Sequence, residues 1–393
     1  MYNLKRAIYY ILFAAMIYIP STILPCTSFV VFSNHIYYGM NFDWPDTEIR
    51  FCIDYFGDTK GFHFQFYKIN HFSTTAGMNE NGVFCSIQMM YPEVTSWETG
   101  GMNLWELFLY SMSNLASVST LISNLDTNNI KINHIEGSTL HNILSDQYGN
   151  AFVIEVGETD NKITQVENGM LVMANFENYQ FRNQNYNSVY GAGSDRYKAA
   201  YEYILNHKDN FTFNDGFETL ERSIQPTGSV YPTQCSMLFD PAHNDVYFAL
   251  RRDFSRIWKL SVDEGTVETY SGFETHQEFS IGSPGAISSS QLLEAAPVDD
   301  GTASIPDHPD LCQNYPNPFN PSTTIHYHIP RSGQVNLRIC NLAGQTIETL
   351  VSGFKRAGDY ETIWRPENLP GGIYLYWLKA GEYRVTKKLI FCK

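Results

Sequence analysis

From residue 26 to about 263 the chain is cut into short runs of β-branched and aromatic residues. They read "TSFVVF", "HIYYGMNF", "FHFQFYKI", "GVFCSIQMM", "HNILSD", "AFVIEV", "GMLVMANF", "CSMLFD" and "DVYFAL", with turn residues between them. Runs of that length and composition are strands, and "FDPAHNDVYF" reads as a hairpin. Helical periodicity is confined to three stretches, 103–125, 195–207 and 214–224, each led by an N-cap candidate. Many strands with a few long helices imply an α+β layered domain.

The two ends of the chain read differently. Lys5 and Arg6 precede the apolar run "AIYYILFAAMIYIP" (7–20), the pattern of an export signal. The run falls short of the roughly 18 apolar residues that a membrane span needs. We therefore expect residues 1–25 to be a removed leader, and no transmembrane span after its removal. Ser21 is a small residue suited to signal peptidase and Pro25 is not, so cleavage near Ser21 followed by loss of "TILP" is one route. A lipoprotein leader, with lipid on Cys26, is the other.

Residues 282–311 are rich in Gly, Ser, Pro and Asp, lack periodicity and read as a linker. Residues 312–393 hold about seven short alternating runs, including "TTIHYHI", "QVNLRIC" and "GIYLYWLKA", as a small β-sandwich requires. Charge also changes near 311. The segment 312–393 has ten Lys+Arg against five Asp+Glu, whereas 26–311 has 14 against 36. So acidic a body argues against nucleic acid as its partner. The domains read as leader 1–25, catalytic body 26–281, linker 282–311 and appended domain 312–393.

Seven cysteines (26, 52, 85, 235, 312, 340, 392) form no CxxC and no zinc-like spacing, so neither a metal nor a cofactor is expected. Cys312 and Cys392 bracket the last domain; they pair, or remain free thiols. Cys26 stands where the leader ends. A thiol attacks as thiolate, so something must take its proton. If cleavage leaves Cys26 as the first residue, its α-amine, with a pKa near 8, becomes available as that base. The other reading is a small buried residue that starts a strand.

Two resemblances follow from these motifs. Residues 312–393, with "NYPNPFNPSTTI", "NLAGQTIETLV", "AGDYETIW" and "GGIYLYWLKAGE", resemble the type A C-terminal sorting domain of the bacterial type IX secretion system. This implies an Ig-like fold, the secretion machinery as a partner, and passage through the periplasm of a Gram-negative bacterium to the cell surface or the medium.

"CTSF" followed by "GMNFDW" resembles the N-terminal-nucleophile cysteine hydrolases of linear amides, which include bile salt hydrolases and penicillin V acylases. The resemblance implies a four-layer αββα fold and a small-molecule acyl amide as substrate. It makes Cys26 the nucleophile and Asp43, one hairpin later, the holder of its amine. "MANFENYQ" (173–180) resembles the segment whose asparagine donates to the oxyanion, here Asn175. "GSDRYKAA" (193–200) resembles the one that sets an arginine near the thiol, here Arg196. "HNILSDQYGNAFVIE" (141–155) resembles a family hairpin and reads as structural. "GMNENGVFCSIQM" (77–89) resembles the family's strand pair, without a placed second oxyanion residue. In one respect the chain departs from the pattern: Met40 stands where the bile salt hydrolases carry Arg, which puts their substrate class in doubt. Acyl transfer of the penicillin-biosynthesis type, and a surface-binding protein with a dead site, are the alternatives to hydrolysis.

Overall fold

The computed structural model describes residues 26–68, 71–91, 101–127, 129–133, 139–157, 160–225, 229–296, 310–311, 314, 317, 319–329, 333–342, 344–355, 358–366, 369–381 and 383–392. The leader 1–25 and Cys312 lie outside them. The chain divides into two units, Met1–Ile224 with Thr233–Pro297 and Gln225–Pro232 with Val298–Lys393.

The first unit begins with β1 (Cys26–Phe32), β2 (Ile36–Asp43), β3 (Ile49–Phe56), β4 (Thr59–Lys68), β5 (His71–Asn79), β6 (Phe84–Met89) and the short β7 (Met102–Asn103). Helices α1 (Leu104–Asn114) and α2 (Ser119–Asp126) follow. Then come β8 (Ile132–Asn133), β9 (Leu140–Ser145), β10 (Ala151–Glu155), β11 (Lys162–Gln165) and β12 (Met170–Met173). After α3 (Asn178–Phe181), α4 (Ser194–His207) and α5 (Phe213–Arg222), the chain forms β13 (Thr233–Asp240), β14 (Asp245–Leu250), β15 (Ile257–Ser261), β16 (Thr266–Ser271), β17 (Glu278–Ser280), β18 (Gly285–Ser288) and α6 (Ser289–Ala295).

Two eight-stranded sheets result, one ordered β12-β1-β2-β13-β14-β15-β16-β17 and the other β11-β10-β9-β6-β5-β4-β3-β18. Alternation decides what each face meets. Phe62, Phe64 and Phe66 of β4 point to one face and pack with Phe42, Phe239 and Phe248 of the other sheet in a shared core. Phe51 and Phe248 stack at 4.0 Å between the sheets. The opposite face of the second sheet packs on α1 and α2, and that of the first on α4 and α5. The layers are thus α, β, β and α. Much of the aromatic content fills the space between the sheets.

The expected helix over 103–125 is two helices. The break has a long-range cause. Asn79 Nδ2 donates to the carbonyls of Ser111, Met112 and Leu115 and so closes α1. Asp146 Oδ2 accepts the Val118 N–H at 2.9 Å and the Ser117 hydroxyl at 2.6 Å, opening α2. Such caps satisfy the backbone groups that helix ends leave unpaired. The expected linker also needs correction. Gly285–Ser288 pairs with β3, and a Ser288–Gln291 capping box starts α6. Ile287 and Leu292 drive this by burying in the inter-sheet core.

The second unit holds β19 (Asp310–Leu311), β20 (Thr323–Ile329), β21 (Gly333–Cys340), β22 (Thr346–Lys355), β23 (Gly358–Trp364), β24 (Gly372–Ala380) and β25 (Tyr383–Phe391). They form a three-stranded sheet β19-β20-β23 and a four-stranded sheet β22-β21-β24-β25, which share one core around Tyr327, Trp364, Leu337 and Tyr376. Asn314 ties this core together: its N–H donates to the Tyr376 hydroxyl at 2.7 Å and its Nδ2 to Thr323 Oγ1 at 2.9 Å. Cys392 is a free, exposed thiol.

Acid sensitivity of the first unit is expected to centre on His63. Burial pushes its pKa down to about 4. Between that value and the ordinary 6.5 the unfolded chain binds the proton and the folded chain does not. Stability is therefore fully present above pH 6.5 and falls as pH drops towards 4, by about 3 kcal/mol. Urea midpoints of wild type and His63→Gln across pH 7 to 4 check this; parallel curves would exclude His63 as the cause.

Candidate active site

The hairpin of β1 and β2 decides the first contacts. Cys26 opens β1 opposite Phe42, so Asp43 lies one residue beyond its partner. On the other side of β1, β12 pairs Ser28 with Met173. Continued by two residues, that antiparallel register sets Asn175 opposite Cys26. The Cys26 N–H donates to Asn175 Oδ1 at 2.8 Å.

Arg196 reaches the same point from the first turn of α4. Its Nη1 donates to the Cys26 carbonyl at 2.7 Å, to Thr27 Oγ1 at 2.6 Å and to Asp43 Oδ2 at 3.5 Å. Its Nη2 donates to Asn175 Oδ1 at 2.8 Å. The guanidinium is 4% exposed and Asp43 is fully buried. Thr233, opposite Asp43 on β13, donates its hydroxyl to Asp43 Oδ1. The structure therefore brings Cys26, Asp43, Asn175 and Arg196 into one buried cluster.

Two details go beyond the sequence expectations. Asn175 presents its oxygen to Cys26 and Arg196, because both partners are donors there, while its Nδ2 donates to the Met89 carbonyl at 2.8 Å. The contact to the Cys26 nitrogen is thus made by Asn175, whereas Asp43 supplies negative charge beside the thiol. Second, the sequence did not single out Thr27, Thr233 or Gly193. Gly193 precedes α4 with φ +74°, and a Cβ there would lie 2.4 Å from Arg196 Nη2 and 3.2 Å from Asn175 Oδ1. Glycine is required twice over, for the backbone and for the space. Thr27 and Gly193 sit inside the quoted motifs; Thr233 has no local signal.

The thiol of Cys26 is pushed up to about 12, first by burial and then by the Asp43 charge, against the lowering effects of the Asp43 backbone amide and of Arg196. A thiol held neutral in this way needs a base before it can attack. Met40 is fully buried in the inter-sheet core, two residues before Phe42, and receives the Ser86 hydroxyl on its sulfur at 3.4 Å. Among the described residues, Glu268, His276 and Glu278 are the group with metal-ligand character. They lie on the β16–β17 side of the sheet, largely exposed, with the Lys259 ammonium 3.8 Å from Glu268. No helix among the described residues is long and apolar enough to cross a membrane.

Comparison with known proteins gives two family matches. Residues 61–221 match the linear amide C–N hydrolases of the choloylglycine hydrolase family. That range includes Asn175 and Arg196; Cys26 and Asp43 precede it. Residues 313–392 match a secretion system C-terminal sorting domain, which directs export by type IX secretion to the cell surface or the medium. No curated protein matches the chain. Among solved structures, a variant of the conjugated bile acid hydrolase of Clostridium perfringens is similar at 18% identity and TM-score 0.46, over 63% of this chain and 97% of that one. The penicillin V acylase of Agrobacterium tumefaciens is similar at 16% identity and TM-score 0.46, over 63% and 91%. The chain thus carries a segment similar to linear amide C–N hydrolases of the choloylglycine hydrolase family, followed by one similar to a secretion sorting domain.

Proposed function

We propose that the exported protein is an N-terminal-nucleophile amidohydrolase that cleaves a linear, non-peptide amide through an acyl-enzyme on Cys26. The observation that carries this reading is the meeting of Cys26, Asp43, Asn175 and Arg196, drawn from distant parts of the chain, in one buried hydrogen-bonded cluster. Loss of 1–25 turns the Cys26 nitrogen into a free amine. That amine takes the thiol proton and the sulfur attacks the amide carbon. The amine then returns the proton to the leaving nitrogen, and the C–N bond breaks. Water, deprotonated by the same amine, splits the thioester and leaves a carboxylic acid and the thiol. Asn175 holds the amine through Oδ1, and the Nδ2 hydrogen that does not go to the Met89 carbonyl receives the oxyanion together with a backbone N–H. Asp43 and Arg196 set the charge around the amine and the thiol.

The acyl group is apolar in this reading. Phe42, the register partner of Cys26, lies 5.0 Å from the rings of both Phe64 and Phe66, and Trp44 stacks on it at 6.0 Å. Uncharged Met40 belongs to the same inter-sheet core. Neutral acyl amides are therefore the better substrates, compared with anionic bile salt conjugates. The test is amine release from a panel of acyl amides by protein beginning at Cys26, with mass spectrometry of the trapped intermediate. Amine release without an acyl mass on the Cys26 peptide would sink the covalent mechanism.

The sorting domain is separable in this reading. Deleting 312–393 is expected to leave the body soluble and active in the test tube and to strand it in the periplasm. Cell fractionation with an activity assay measures both. A deleted chain that still reaches the medium would remove the export role.

A further inference from the structure

A second buried polar cluster lies between the sheets, and the reaction as described does not use it. His141 on β9 is the register partner of both Gln88 on β6 and Glu155 on β10. All three side chains are buried, at 0%, 2% and 0% exposure. His141 Nδ1 lies 3.1 Å from Glu155 Oε1. The same carboxylate accepts the backbone N–H of Asn178 at 2.6 Å and of Tyr179 at 2.9 Å. Both carboxylate oxygens thus accept backbone hydrogens, and the hydrogen shared with Nδ1 sits on the imidazole. With the ring neutral and that hydrogen on Nδ1, Nε2 is an acceptor.

Among the described residues, Nε2 of His141 and Oε1 of Gln88 are both buried without a hydrogen-bond partner. Gln88 has already used its Nε2 to donate to Ser28 Oγ at 2.6 Å. Two acceptors on one face of adjacent strands, with no donor between them among the described residues, call for a molecule that donates twice. A buried water does so, and such waters bind where polar groups are otherwise unsatisfied.

We propose that Glu155, His141, a buried water and Gln88 form a positioning unit that locks the Asn175 turn to the Cys26 strand. One end is the Glu155 carboxylate, which fixes the backbone three and four residues after Asn175. The other end is Ser28, two residues after Cys26 on the same face of β1, which also meets Ser86 at 3.0 Å. The Asn175-to-Cys26 contact lies between these two anchors. Its geometry is held from both sides. The positioning role rests on the function proposed above; the water site does not.

Selective ¹⁵N labelling of histidine in the full chain, with His141→Gln to assign the signal, tests the site. We expect a neutral ring protonated on Nδ1 with a bare Nε2. A crystal structure should place one water within hydrogen-bond reach of His141 Nε2 and Gln88 Oε1. A ring protonated on Nε2, or Gln88 bonded directly to His141, would overturn the site. For positioning, Gln88→Leu and, as a second variant with its shape kept, Glu155→Gln should each lower kcat about 100-fold with KM unchanged, as small misplacements do. Iodoacetamide labelling of Cys26 should slow in both. Wild-type kcat and labelling in both folded variants would overturn the positioning role. Absence of amine release from every amide would instead count against the amidase, while the labelling rates still judge the unit.

Discussion

Protein that begins at Cys26 is expected to release amine from an acyl amide, and protein that retains Met1–Pro25 is expected to be inert. The thiol is the reason. At about 12 its thiolate is roughly one part in 100,000 at pH 7, so attack depends on a base. The nitrogen of the same residue is held 2.8 Å from Asn175 Oδ1. While Pro25 acylates it, this nitrogen is an amide and cannot take a proton. Freed, it is an amine with a pKa near 8. General-base assistance of this kind is worth about 100- to 10,000-fold. Purified protein of both lengths, assayed on one substrate, measures the difference. Equal turnover would mean that another group is the base and that the N-terminal-nucleophile reading is wrong.

What the sequence disclosed depended on how far apart the interacting residues lie. The β1–β2 hairpin was legible because alternation and a short turn specify it locally, and with it the position of Asp43 beside Cys26. Asn175 and Arg196 were legible through motif resemblance, not through pattern. No periodicity says that 175 will stand opposite 26; that follows from β12 pairing directly with β1 after the chain has laid down seven strands of the second sheet. Thr233 was invisible for the same reason, since its meeting with Asp43 spans 190 residues. The split of α1 from α2 was hidden too, because its caps, Asn79 and Asp146, come from other strands. In 285–295 the composition suggested a linker while two buried aliphatic residues and a capping box decided otherwise. Small polar residues are ambiguous, for they suit turns and helix starts alike.

Replacing Arg196 is expected to separate charge from geometry. Arg196→Ala removes the cation that faces Asp43 and leaves that buried carboxylate without its ion pair, a loss of about 3–5 kcal/mol of stability. It also removes an interaction that lowers the Cys26 pKa, so alkylation of Cys26 should need a higher pH than in wild type. Arg196→Lys keeps one positive charge but not the fork that holds the Cys26 carbonyl, Thr27 and Asn175 at once. An ammonium on a flexible stem cannot reproduce that planar set. We therefore expect Arg196→Lys to regain most of the stability and much of the alkylation profile, yet to turn over about 100-fold more slowly. Gly193→Ala approaches the same point from the backbone, by driving a methyl group into the guanidinium, and should lower turnover while the charge remains. Urea unfolding, the pH profile of alkylation and kcat, measured on all three variants, distinguish these effects. If Arg196→Ala leaves the alkylation profile where wild type has it, the guanidinium does not act on the thiol. If Arg196→Lys keeps full turnover, charge alone suffices and the fork is dispensable.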